Sequence, residues 1–511
     1  LVDCGMEQGN DVYENQELPI AASDVDCILL THAHIDHSGL IPLMYVNGFR
    51  GQVYSTSATA QLCEIMLRDS AHIQMFEAEW RNRKAARSGG KLKEFVPLYD
   101  MDAAVNVCKQ FVGCEYDRVY DIAEGIKIRF TDVGHLLGSA SIEVWATEKT
   151  ENGDVTEKIV FSGDIGNINK PIIKDPKHVR DADYVVMEST YGNRSHGGTP
   201  NYVEDLTDIF KRTFERGGNV VIPSFAVGRT QELLYIIRKI KEDNLVGRDF
   251  DVYMDSPLAI EATNIFIKNV ESCFDDDAVE LVRKGINPLS FPGLKYATTG
   301  DESKQINFDP NPKVIISSSG MCEAGRIRHH LKHNLWRPEC TIVFVGYQAV
   351  GTTGRIIVDG AEEIKLFGEP IQIKAEIVQL KGSSGHADKD GLLCWINAFD
   401  TKPKKVFVVH GEDSVCDEFT ECLKEEYGYD AMAPYTGGSY DLIADRVISE
   451  GVKERKTRRT TSTQRGKTVF DRLVAAGKRL MTVITHNEGG TNKDLAKFTD
   501  QINALCDKWD R

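Results

Sequence analysis

Short apolar runs that break off into small, polar or ionisable residues recur along the chain. In the first half they read CILLTHAHIDHSG, IKIRFTDVGHLLGSA, KIVFSGDIGN, YVVMESTYGN and NVVIPSFAVGRTQE; later come KVIISSSGMCEAGR, TIVFVGYQAVGTTGR and KVFVVHGEDS. Runs of β-branched residues without polar alternation predict strands buried on both faces. Between them the apolar spacing turns helical, as over Thr59 to Trp80 and Thr230 to Lys241. Strands alternating with helices predict an α/β class, with the polar strand ends gathered on loops at the strand C-termini. GNRSHGGTPN, residues 192–201, has linker composition and follows the strand that ends in Glu188. Tyr202 to Gly368 then carries an alternation of its own, enough for an inserted α/β domain. Beyond about Glu450, KERKTRRTTSTQRGK reads as a flexible linker and Thr468 to Arg511 as largely helical.

Composition narrows the class. A chain of 511 residues is too long for one small domain, and 41% hydrophobic with 27% charged residues is ordinary for a globular protein. No apolar run is long enough to span a bilayer and no secretory signal is present, so no membrane partner is expected. The opening LVDCG reads as the end of a strand already under way, and residues upstream of it are expected. Twelve cysteines without a CxxC pair argue against a zinc ribbon and a disulfide scaffold. Reduced thiols and a cytoplasmic location are the expectation. The net charge of -16 argues against whole-surface attraction to nucleic acid. Residues 451–511, however, hold 14 Lys/Arg against 7 Asp/Glu, so that the remaining 450 residues carry -23. That tail, or the cluster WRNRKAARSGGKLK from Trp80 to Lys93, could track a phosphate backbone.

The chemistry starts at THAHIDHSG, which places His32, His34, Asp36 and His37 within six residues directly after a strand. Imidazole and carboxylate suit zinc, with manganese or iron as alternatives. Other strand ends offer His135 in GHLLGS, Asp164 in FSGDIG and His410 in VVHGE. Each alone is unremarkable; together they complete two sites sharing a carboxylate. A second cluster, HHLKH at His329, His330 and His333, has spacing that permits a metal site but is expected to be an exposed polar helix face.

The ordered set DCG, HAHIDH, GHLLGSA and SGDIG resembles the metallo-β-lactamase superfamily. ESTYGN, SSGHAD and VVHGE look like motifs A, B and C of its β-CASP branch of nucleic-acid-processing hydrolases. PSFAVGRTQELL, MDSPLA, SSSGMCEAGRIRHHL and GYQAVGTTGR strengthen the likeness to the RNA group, which includes the nuclease subunit of the cleavage and polyadenylation specificity factor and its prokaryotic relatives. The resemblance covers about residues 1 to 445. It implies an αββα sandwich with an inserted α/β β-CASP domain. The expected division is residues 1–191 and 370–450 for the sandwich, 192–369 for the insertion, and 451–511 for a basic linker and helical extension.

Carried over by position, the resemblance implies that His32, His34 and His135 hold one zinc and Asp36, His37 and His410 a second, manganese being an alternative. Asp164 and a water would bridge them, and two such ions activate the water and clamp a scissile phosphate. Asp3 would orient the HxHxDH loop from behind. His386, held by Glu188, would be the general acid. Ser384 and Gly385 offer hydroxyl and N–H donors to phosphate, and Arg229 and Arg355 are further candidates for substrate contact. The activity implied is that of a zinc-dependent ribonuclease, endonucleolytic, 5′-exonucleolytic or both, acting on single-stranded RNA. The alternatives are a β-CASP nuclease acting on DNA and an inactive scaffold of an RNA-processing complex. The histidine of VVHGE favours RNA, and the retained ligand set disfavours the scaffold. Because the family is often dimeric, a homodimer is also in view.

Overall fold

The computed structural model describes residues 1–6, 20–87, 95–151, 153–195, 197, 201–380, 384–453, 469–487 and 491–509. The linker expected over Lys453 to Lys467 lies almost wholly outside them, as does the end of the basic cluster after Arg87.

Two sheets form a sandwich. Cys27–Leu29 (β1), Gln52–Thr56 (β2) and Phe111–Cys114 (β3) make a parallel three-stranded sheet. Val119–Ala123 (β4), Ile126–Asp132 (β5), Ala140–Thr150 (β6), Gly153–Phe161 (β7) and Tyr184–Glu188 (β8) follow in sequence and lie side by side in a second sheet. Leu29 from one sheet and Phe130 and Ile142 from the other share a buried cluster. The long helix Ser57–Arg87, with Ile41–Val46 and Met101–Cys108, packs with the smaller sheet. On the far side Lys389–Ile396 and Asp413–Glu425 cover the larger one, where Trp395, Phe419 and Leu423 meet Val160, Val185 and Met187. This is the αββα arrangement expected from sequence.

Inserted between β8 and its next neighbour is a six-stranded parallel sheet. Its strands are Val220–Pro223 (β9), Asp251–Asp255 (β10), Leu294–Tyr296 (β11), Lys313–Ser317 (β12) and Thr341–Phe344 (β13), then, after the hairpin Glu363–Leu366 (β14) and Glu369–Gln372 (β15), Glu376–Gln379 (β16). The spatial order is β11-β10-β12-β9-β13-β16. Residues 376–379, expected from sequence in the returning part of the sandwich, pair instead with β13, Thr341 opposite Glu376 and Phe344 opposite Gln379. Without that pairing β13 would be an open edge. The chain rejoins the larger sheet at Lys405–Val409 (β17), which lies beside β8, with Ala431–Met432 (β18) outside it. Val408 and Val409 of β17 register with Met187 and Glu188 of β8, which brings VVHGE level with ESTYGN.

One apolar cluster runs from Ile41 and Leu62 through Leu136 and Leu137 to Leu233 and Ile237, joining sandwich to insertion. Helices Val469–His486 and Asn492–Trp509 end the chain. No helix among the described residues is long and apolar enough to cross a membrane.

Candidate active site

Directly after β1 the chain turns through the single-turn helix Ile35–Ser38, wrapping His32, His34, Asp36 and His37 around one small volume. His32 is fully buried, and His37 and His135 nearly so. His34 Nδ1 lies 3.0 Å from His32 Nε2 and 3.2 Å from His135 Nε2. Asp164, also buried, divides its oxygens. Oδ2 faces His32 and His135 at 3.3 and 3.5 Å, and Oδ1 faces His37 and His410 at 3.1 and 3.4 Å. Asp36 completes the second group with His37 and His410.

The backs of the rings are held by the protein. Asp3 Oδ1 accepts from the Thr31 backbone N–H at 2.8 Å. Its Oδ2 takes the Thr31 hydroxyl at 2.8 Å and His37 Nδ1 at 2.7 Å. With its proton given to Asp3, the Thr31 oxygen accepts from His32 Nδ1 at 3.0 Å. His135 Nδ1 meets the Gly385 carbonyl at 3.3 Å. Each of these three rings therefore keeps its Nε2 for the interior, the tautomer pattern of a ligand set. Asp3 and His410 adopt φ of 53° and 51°, left-handed conformations held where their side chains reach the cluster.

Beside this group stands a His–Glu pair. His386 Nδ1 is 3.2 Å from both Glu188 oxygens, and its Nε2 is 3.8 Å from Asp164 Oδ2. Glu188 also accepts from Ile165 N at 2.5 Å and Thr190 N at 3.3 Å. Asn167 ties the Asp164 loop to motif B, its backbone N–H to Gly385 O at 3.3 Å and its side-chain amide to Ser384 O at 3.2 Å. The Tyr191 and His386 rings meet edge to face, and the Arg194 guanidinium lies over the Tyr191 ring.

Electrostatics sort the rings by role. Burial pulls His32 and His135 below the usual imidazole range, assisted by His37 and His386 respectively. Burial and His32 pull His34 down to about 3. Burial opposes charge on His37 too, but Asp164 and Asp3 outweigh it and hold its pKa well up. At His386 burial is likewise overcome, by Glu188 and then Asp164, and the pKa rises to about 9. Burial would raise Asp164, yet His37, His410 and His32 keep it well below the carboxylate range. The raised pKa of His386 contrasts with the lowered values of His32, His34 and His135 beside it.

Other candidates are placed differently. Arg229 opens the helix Arg229–Glu242 and pairs with Glu232 at 2.5 Å. Arg355 is engaged with Asp359 on its own helix, at 2.8 and 2.9 Å, and among the described residues is not brought to the cluster. HHLKH is not the exposed face expected. His330 is fully buried, bonded to Asp255 at 2.7 Å and Asn307 at 2.9 Å, because the buried Asp255 carboxylate needs cationic and N–H partners. His329 stacks on Phe367. Thr31, Asn167, Lys170 and Glu232 were not singled out from sequence. Thr31 could have been, since it leads the HxHxDH run; nothing in the spacing marks Lys170.

Three family models match the chain: the metallo-beta-lactamase superfamily domain over residues 1–167, the Beta-Casp domain over 230–357 and the Zn-dependent metallo-hydrolase RNA specificity domain over 370–434. A ribonuclease of Thermus thermophilus is 34% identical over 414 residues, covering 81% of this chain and 88% of that protein. The chain belongs to the β-CASP branch of the metallo-β-lactamase superfamily. An RNase J-like protein of Methanocaldococcus jannaschii is 31% identical over 81% of this chain and 86% of its own length. A transcription termination factor of Methanosarcina mazei is 32% identical over 85% of this chain, which spans 66% of that longer relative.

As a β-CASP metallo-hydrolase the chain should take metal, and its donor atoms fit one. Both Asp164 oxygens and His37 Nε2 are buried without a hydrogen bond, although they face one another. With the His32 and His135 protons on Nδ1, toward Thr31 and Gly385, His34 Nδ1 meets two bare Nε2 lone pairs and has at most one proton to share between them. A cation at the centre of such a nitrogen and carboxylate set resolves both defects.

Proposed function

We propose that the chain is a zinc-dependent ribonuclease that hydrolyses phosphodiester bonds of single-stranded RNA. The observation that carries the reading is Asp164, whose two oxygens each face a separate histidine group while the His386–Glu188 pair stands alongside. His32, His34 and His135 would hold one ion and Asp36, His37 and His410 another, with Asp164 common to both. When bound, such ions supply charge to offset a phosphodiester and a lowered water pKa.

The protein's own groups account for the rest. Asp3 and Thr31 fix the ring orientations of His37 and His32. Glu188 accepts from His386 Nδ1, leaving the Nε2 proton to go to the departing oxygen. His386 Nε2 lies 3.8 Å from Asp164 Oδ2, next to the metal group that would hold the phosphate. Ser384 Oγ accepts the His386 backbone N–H at 3.1 Å, so its own O–H can donate to a phosphate oxygen. The names of the relatives, a ribonuclease and an RNase J-like protein, and the RNA specificity match over residues 370–434 support RNA as the substrate.

The test is cleavage of end-labelled single-stranded RNA and of matched DNA by zinc-loaded protein, beside Asp164→Ala. RNA should be cut in preference to DNA, and the variant should fall to background. Wild type that is inert on RNA with two zincs bound refutes the reading.

A further inference from the structure

The loop that carries Asp164 continues to Lys170, whose side chain is nearly buried between the two domains. Lys170 Nζ donates to the His135 carbonyl at 2.8 Å and lies 3.5 Å from Glu232 Oε1. Glu232 belongs to the inserted domain, in the first turn of the helix Arg229–Glu242, and is itself held by Arg229. An apolar contact lies next to this ionic one. Gly228, just before that helix, has φ of 83°, and a Cβ added there would come 3.1 Å from Leu136 Cδ1. The insertion therefore approaches residues 135 and 136 at two points. It does so through a carboxylate relayed by Lys170 and through a close approach that Gly228 permits.

His135 is otherwise tied to its own domain and motif B, by its N–H to Ser139 Oγ at 3.0 Å and its ring to Gly385 O. Through Lys170, its carbonyl is linked to a group of the insertion. We propose that Lys170 is a positioning residue that couples the seating of the inserted domain to the His135 loop, and so sets the metal affinity of the group formed by His32, His34 and His135. The inference rests on the metal reading above, and it gives the β-CASP insertion a role in building the metal site as well as covering it. Removing Lys170 takes the lysine from the His135 carbonyl and from Glu232 Oε1, leaving Glu232 to Arg229 alone and breaking the link between the two. Groups that orient metal ligands from behind typically change affinity by about 10–100-fold when lost.

Zinc binding to stripped, full-length protein tests this by competition with a chromophoric chelator, a readout that needs no RNA cleavage. Lys170→Met and Glu232→Gln should each weaken zinc about 10-fold, the double variant no more than Lys170→Met alone, and Lys170→Arg should retain affinity. Glu232→Gln conserves volume and guards against a misfolded Lys170 variant, and circular dichroism of the apo forms checks the fold. Arg68 and Glu261 make a separate, exposed interdomain pair at 2.8 Å. Arg68→Ala should therefore bind zinc as wild type does. Wild-type affinity in Lys170→Met overturns the proposal, and so does an equal loss in Arg68→Ala, which would mean general loosening. Absence of zinc binding in wild type would remove the metal reading itself, and this proposal with it.

Discussion

His386 sits between two carboxylates, Glu188 at 3.2 Å and Asp164 at 3.8 Å, and this sets its pH behaviour. Burial alone would strip its proton; Glu188 and Asp164 hold its pKa up to about 9. In the proposed role of proton donor it would work in the charged form, so activity should persist through neutral pH and fall as the ring loses its proton. Cations beside Asp164 pull in the other direction, and the alkaline limb of the kcat profile should lie at or below about pH 9. The same sign governs folding. A histidine raised above its unfolded value near 6.5 contributes stability that is complete below that pH and lost as pH rises through the folded value. His386→Gln should lower kcat by about 10²–10⁴-fold and flatten the alkaline limb, with zinc content unchanged, as read by pH–rate profiles and metal analysis. Loss of zinc in that variant would mean the ring is a ligand and not an acid.

Among the elements, β5, β6 and β7 carry a buried charged patch. Glu143 on β6 is fully buried. It accepts two bonds from Arg129 of β5, at 2.7 and 2.6 Å, and lies 2.7 Å from Lys158 of β7, which is 6% exposed. Burial would raise the Glu143 carboxyl, but Arg129 and Lys158 hold it below its usual value. The stability it contributes is therefore present above the carboxylate range and lost in acid. Glu143→Gln leaves Lys158 with the exposed Asp181 as its remaining carboxylate partner and should cost about 3 kcal/mol in urea denaturation. Nothing in the spacing of IKIRFTD or ASIEVWATEKT announces this triad, because it depends on the register of three strands. The strands themselves were legible, since Val, Ile and Phe runs need burial wherever they pair. His32 to His37, His135, Asp164 and His410 were legible for the same reason: each follows such a run, and strand C-termini converge. Register and partner choice were not. Residues 376–379 joined the insertion because β13 had an edge to fill, and His330 turned inward because Asp255 needed it.

For the whole molecule, metal binding and folding should be one equilibrium. The two histidine groups draw on both halves of the sandwich, so zinc held as proposed would favour the folded chain and should raise its thermal midpoint. At a free concentration 100 times the dissociation constant the gain is about 2.7 kcal/mol per site. Chelation should lower the midpoint correspondingly, in a calorimetric scan with and without chelator. Magnesium at equal concentration should not restore it, because an imidazole-rich set suits zinc and not a hard cation. A midpoint indifferent to zinc would separate the histidine clusters from metal altogether.

The distance along the chain between the pieces of the site has a consequence in time. His135 and Gly385, which touch, are 250 residues apart, and His410 lies further on. At roughly 5–20 residues per second of synthesis, a ribosome needs roughly 12–50 seconds to make the stretch from one to the other. Throughout that interval the HxHxDH loop is already made, but neither His386 nor His410 exists. A nascent chain that has not yet reached His410 therefore lacks part of both the second histidine group and the His386–Glu188 pairing for most of its synthesis.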